Sequence, residues 1–141
     1  MIKRMMKAGL MVLTMSLFFS AQGQSNEKIS SMDFVQILGD NRAETIYYYE
    51  NNWKVLREQA LEKGYIHSYQ MLEVPKGDDL AFEIILITTY KDQAQYDRRE
   101  DNFGELIEAM DGRKLLNDKQ PGTFRNILFG REEVRFLHEG S

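Results

Sequence analysis

The sequence predicts an α+β domain of element order β-α-β-β-α-β. Three observations lead there. Two stretches repeat apolar residues at helical spacing, at residues 41–63 and 92–110. Apolar and β-branched runs stand before, between and after them. Turn residues, Gly39-Asp40, Lys63-Gly64, Pro75–Asp79 and Asp111-Gly112, separate the runs.

The N-terminus reads as an export signal. Lys3, Arg4 and Lys7 precede the uncharged run Ala8–Phe19, which ends in Ser20-Ala21-Gln22-Gly23. A basic start, a short apolar stretch and small residues before a cut at Gln24 are the parts of a secretory signal peptide. A run of twelve residues falls short of the roughly 20 that span a bilayer. The expectation is a signal peptide over 1–23, a flexible lead-in over 24–31 and one domain over 32–138, in a secreted or periplasmic protein with no membrane association after cleavage.

Without the signal, fifteen basic residues face twenty-two acidic ones, a net charge of −7 where the whole chain has −4. That balance argues against nucleic acid as a partner. The chain has no cysteine, so neither disulfides nor thiolates take part.

Asp33–Leu38 reads as the first strand. Asn41 then stands where a helix would be capped, with Glu44 at capping-box spacing. Ile46, Tyr49, Trp53, Leu56 and Ala60 form one narrow apolar stripe, and Lys63-Gly64 is a stop signal. On this spacing Tyr48 and Val55 lie on the opposite side of the helix. Tyr65–Val74 alternates as a strand, placing Tyr65, His67, Tyr69 and Met71 on one face. The turn Pro75–Asp79 joins it in a hairpin to Ala81–Tyr90. Asp92 caps a second helix that runs to about Met110, with Tyr96, Phe103, Ile107 and Met110 on one side. A loop from Arg113 to Gly122 leads to a fourth strand over Thr123–Phe129, with a short tail strand at Glu133–Leu137. This order is the split βαβ, ferredoxin-like arrangement: an antiparallel four-stranded sheet with two helices on one face.

The third strand adds an assembly expectation. Ile84-Ile85-Leu86-Ile87 does not alternate, so both of its faces call for cover. Two helices cover one face. A second copy of the sheet is the simplest cover for the other, and Tyr65 and Tyr69 are assigned to that same face. The expected partner is therefore a second copy of this chain.

Over about Asp33–Phe129 the pattern resembles the dimeric α+β barrel superfamily, of which antibiotic-biosynthesis monooxygenase-type proteins are a branch. The block Tyr47–Lys54, followed by Leu61–Ile66, is similar to a group of uncharacterised secreted bacterial proteins of this arrangement. The resemblance implies two ferredoxin-like subunits pairing their sheets into a barrel with helices outside. It implies no catalytic residue, because the superfamily's members share no catalytic motif.

Common catalytic constellations are missing. There is no Gly-x-Ser-x-Gly, no Gly-x-x-x-x-Gly-Lys and no Gly-x-Gly-x-x-Gly. With only His67 and His138 and no cysteine, no metal and no cofactor are expected. His138 reads as a solvated tail residue. His67 is the one candidate catalytic base, if its strand face lines a cavity. Trp53, Tyr49, Tyr69 and Tyr90 are candidate ligand-binding residues, since aromatics with a polar tip suit an apolar pocket. Arg125, in or beside the fourth strand, is a candidate clamp for a carboxylate. Arg99 lies in the apolar arc of the second helix, positioned to meet a buried carboxylate. Three functions follow: a dimeric binding protein for an apolar or aromatic ligand, a cofactor-independent monooxygenase or isomerase/lyase using His67, and an interaction module without a ligand.

Overall fold

The structure, a computed structural model, describes residues 27–141; the signal peptide expected over 1–23 lies outside the described residues. Among those described, no helix is long and apolar enough to cross a membrane. Strand β1 spans Ile29–Ile37, β2 Ser68–Glu73, β3 Ile84–Tyr90 and β4 Arg125–Arg135. They form one antiparallel sheet in the order β2-β3-β1-β4. With the helices packed on one face, this is the ferredoxin-like α+β fold.

Strand β1 begins at Ile29, inside the segment read as a flexible lead-in. Ile29 and Ser30 are buried, so the isoleucine that ends the polar stretch anchors the strand rather than trailing from it. The fourth strand starts later than expected, at Arg125. Pro121–Phe124 makes a helical turn (α5), with proline in its first turn and Thr123 Oγ1 donating to Gln120 O at 2.7 Å. β4 then runs without a break to Arg135, absorbing the separate tail strand. Two register shifts against β1 and a positive φ of 54° at Glu133 mark the irregularities that carry it past Gly130-Arg131.

The first helical region is α1 (Arg42–Tyr48), a π-helical turn (Tyr49–Trp53) and α2 (Lys54–Glu62), continuous in space. Within the π turn Lys54 N–H donates to Tyr49 O, five residues back. The stripe Ile46, Tyr49, Trp53, Leu56 and Ala60 still faces the core, and Tyr48 joins it beside the π turn. Tyr48, expected on the far side, turns its ring edge-on to Tyr49 at 5.3 Å and packs against Phe124 at 5.5 Å. The capping box does not form. Asn41 turns its side chain back to Leu38 O, and Glu44 accepts from Asn117 and Lys119 in the 113–122 loop. Gly64 ends α2 with φ +69°, a conformation that suits glycine.

The second helix is broken at Arg98 into α3 (Gln93–Asp97) and α4 (Arg99–Glu108). Asp92 caps α3 as expected, its Oδ1 accepting from Gln95 N–H at 2.8 Å. After the break Leu106 is the buried residue, and Ile107 is 56% exposed.

Cross-strand partners assign the sheet's faces. Ile29, Asp33 and Val35 of β1 pair with Tyr90, Leu86 and Ile84 of β3 on the helix side. Tyr69 and Met71 of β2 pair with Thr88 and Leu86 on that same side. Tyr69 thus lies under the helices, its ring edge-on to Trp53 at 5.8 Å, and not on the open face. Tyr65 precedes the strand and also packs against the helix-side core. The open face carries Phe34, Ile85, Ile87, Leu72 and Phe129 instead. Phe34 stacks on Phe129 at 4.5 Å and meets Phe82 edge-on at 5.0 Å.

The core beneath the helices is divided. One cluster gathers Ile29, Leu56, Ala60, Ile66, Tyr90, Tyr96 and Leu106; the other gathers Val35, Tyr49, Ile84 and Leu86.

Candidate functional site

Residues from both clusters line a cleft between the helices and strands β3, β1 and β4 of the sheet. It consists of two adjoining cavities of about 440 and 350 Å³. Asp33, Trp53, Leu86 and Ile107 belong to both. Volumes of this size suit a small organic ligand.

Asp33 is the residue at the junction. It sits mid-strand in β1 with its side chain on the helix side. Among the described residues no hydrogen bond or ion pair reaches its carboxylate. Burial raises its pKa, with Glu132 reinforcing the shift and Arg57 opposing it. Gly130, across the β1–β4 ladder, leaves the carboxylate its space: a Cβ there would lie 2.9 Å from Asp33 Oδ1.

The larger cavity is dominated by Arg57 of α2. Its guanidinium lies between two rings, 4.5 Å from Trp53 and 4.4 Å from Phe103. Nε donates to Thr88 Oγ1 at 3.1 Å, and no carboxylate pairs with it among the described residues. Burial lowers its pKa to about 10, with Tyr90 and Asp33 opposing, so it remains a cation at neutral pH. Glu132 gathers donors at the other side of this cavity. It accepts from Ser31 Oγ at 2.6 Å and Tyr96 Oη at 2.9 Å, with Arg99 Nε at 3.9 Å.

The smaller cavity is walled by Tyr48, Tyr49, Trp53, Leu56, Met110 and Ile127, with Arg113 and Arg125 as its cations. Tyr49 is 3% exposed, and its hydroxyl donates to no group among the described residues, with the Arg125 guanidinium beside it. Burial pushes its pKa up to about 12, although the Arg125 guanidinium nearby pulls the other way. Arg125 Nε is likewise buried without a partner. Asn52, in the π turn, holds the wall in place. It exchanges two hydrogen bonds with the Lys114 backbone, each 2.8 Å.

Of the candidates read from the sequence, Trp53 lines both cavities, Tyr90 the larger, and Tyr49 and Arg125 the smaller. Tyr69 supports Trp53 from behind. His67 is elsewhere: it precedes β2, is exposed, and lines neither cavity. Its N–H donates to Thr89 O at 2.8 Å, which starts the pairing with β3 and leaves the imidazole in solvent. Arg99 stacks 3.9 Å above Tyr96, and its acidic neighbour Glu132 is exposed, not buried.

Asp33, Arg57, Thr88 and Glu132 escaped the sequence reading. Two of them had a signal. Asp33 alternates with Val35 and Ile37, so its charge shares their face. Arg57 stands four residues after Trp53 and three before Ala60, inside the apolar stripe.

No family model matches the chain, and no curated protein matches it. Among solved structures it is similar to HapK from Hahella chejuensis, at 8% identity and a TM-score of 0.48, covering 81% of this chain and 97% of that one. It is also similar to an uncharacterized NIPSNAP-like domain protein from Burkholderia xenovorans, at 8% identity and a TM-score of 0.47, covering 83% and 92% of the two chains.

Proposed function

We propose that this chain is a small-molecule-binding domain that takes an apolar or aromatic ligand in the cleft. The observation that carries this reading is the cleft lined by residues of both core clusters, with aromatic walls and unpartnered polar side chains around two cavities that open to solvent. An interaction module without a ligand calls for a filled interior, so the cavities speak against it. The test is a thermal-shift screen of the purified protein against aromatic, aliphatic and haem-like compounds. A ligand at a hundred times its Kd adds about 2.7 kcal/mol and raises the melting temperature by several degrees. A screen in which every compound leaves it unchanged overturns the proposal.

The working form is an exported homodimer joined through the open sheet face. Phe34, Phe129, Ile85 and Leu72 supply the apolar surface for that contact, and Phe129 is 38% exposed and Leu72 44%. Sedimentation should give twice the chain mass, and Phe129→Asp should halve it. An N-terminus at Gln24 on protein recovered outside the cytoplasm tests export.

A second reading is a cofactor-independent enzyme that moves a proton. Asp33 favours it over His67, because an unpaired carboxylate with a raised pKa faces both cavities. Any turnover found should be lost in Asp33→Asn and retained in His67→Ala.

A further inference from the structure

The smaller cavity holds two buried polar atoms without a partner among the described residues, Tyr49 Oη and Arg125 Nε. Both carry hydrogens to donate, and an arginine nitrogen cannot accept. Buried donors are nearly always paired, so two orphans on residues that line one cavity mark a place where an acceptor belongs. The charge count agrees. Arg113 and Arg125 line this cavity against one acid, Asp33, and no carboxylate of the described chain pairs with Arg125. The remaining wall, Trp53, Leu56, Met110 and Ile127, is apolar. The larger cavity is different. Arg57 is there enclosed by two rings and Thr88, and the acids Asp33, Glu100 and Glu132 outnumber the arginines.

Resting on the binding reading above, we infer that the ligand is an organic carboxylate with an apolar or aromatic body. Its carboxylate accepts from Arg125 and Tyr49, and its body lies against Trp53 and Leu56. A carboxylate suits the donor set better than a phosphate. It is singly charged and flat, and its two oxygens match two donors with one excess positive charge. A phosphate would leave acceptors and charge unmatched in a 350 Å³ cavity with these walls. A neutral amide or alcohol would satisfy the hydrogen bonds but not the charge.

The chain's single tryptophan lines both cavities and reports on occupancy. The experiment titrates the purified protein with 4-phenylbutyrate and, separately, with its neutral amide, following Trp53 emission. The carboxylate should bind at least about tenfold more tightly, the worth of one charge-assisted hydrogen bond. Arg125→Gln should remove most of that preference by weakening the carboxylate about tenfold and the amide by much less. Tyr49→Phe should weaken it severalfold, and it carries the test if Arg125→Gln does not fold. Equal binding of the two probes overturns the inference and leaves the binding reading standing. So does a preference that survives Arg125→Gln, or one lost in Arg57→Gln instead. If neither probe binds, the inference falls; the binding reading falls with it only when the neutral compounds of the thermal-shift screen also fail.

Discussion

Gly130 stands across from Asp33 in the β1–β4 ladder, and a methyl group at 130 would come within 2.9 Å of Asp33 Oδ1. The carboxylate occupies the space that glycine leaves. Gly130→Ala should therefore turn Asp33 aside at a cost of about 1 kcal/mol. In an Asp33→Ala background the same change should cost almost nothing, a coupling that a double-mutant cycle in urea measures. Equal costs in both backgrounds would mean that the two side chains do not compete for this space.

Asp33 should also lower stability at neutral pH. Its folded pKa lies above the ordinary 3.8, so the fold disfavours its charge. The sign follows from proton counting. Below 3.8 both states hold the proton and there is no penalty. As pH rises through the folded value the native state binds more protons than the unfolded one, and stability falls. Asp33→Asn should therefore melt about 2–4 °C higher at pH 7, a modest gain because water still screens the half-buried group. The difference should vanish near pH 3. A variant that gains as much at pH 3 as at pH 7 would assign the effect to something other than charge.

Tyr49→Phe removes a buried hydroxyl whose proton no described residue accepts. The unliganded protein should gain roughly 0.5–1.5 kcal/mol in urea unfolding, where loss of a satisfied hydroxyl would cost a similar amount. A loss of stability would show that the hydroxyl has a partner in solution.

Arg57→Ala should cost about 2–3 kcal/mol, because it removes two ring contacts and the bond to Thr88 and leaves a void. Arg57→Met should recover most of that. An unpaired buried charge contributes little beyond what an apolar chain of similar length supplies between two rings. If Met fares no better than Ala, the guanidinium's charge itself holds Trp53 and Phe103 together.

Asn52→Ala should release the loop that follows Gly112, since Asn52 makes two of its three side-chain hydrogen bonds to the Lys114 backbone. Hydrogen exchange should quicken across 113–119, with a stability loss of about 2 kcal/mol. Asn52→Asp keeps the acceptor and loses the donor, so it should fall between.

Much of the fold was legible because periodicity and turn chemistry agree with it. The hairpin of β2 and β3, the Asp92 cap and the stop at Gly64 are local and depend on few residues. Three of the misreadings share one cause, register. A π turn moved Tyr48, a break at Arg98 exchanged Ile107 for Leu106, and a bulged β4 merged two strands. Each adds or shifts one residue, which a search for fixed periods passes over. At the site, Trp53, Tyr49, Tyr90 and Arg125 were visible as chemistry-bearing residues on apolar faces. Asp33 and Arg57 were less visible because a single charge inside an apolar pattern reads as noise until its face is known. His67 misled because its strand starts one residue after it.

The π turn at Tyr49–Trp53 gives the cleft a tolerance of chain length that the rest of the helix does not share. A deletion of one residue there, such as Asn51, could be absorbed by relaxing to an ordinary helix. Elsewhere in the helix a one-residue deletion would rotate the segment after it by about 100° relative to the segment before it. At the π turn the two segments would keep their facing, because removing the inserted residue restores the ordinary repeat. Helix and sheet would survive, and the change would be confined to the stretch of cleft wall that the turn itself supplies.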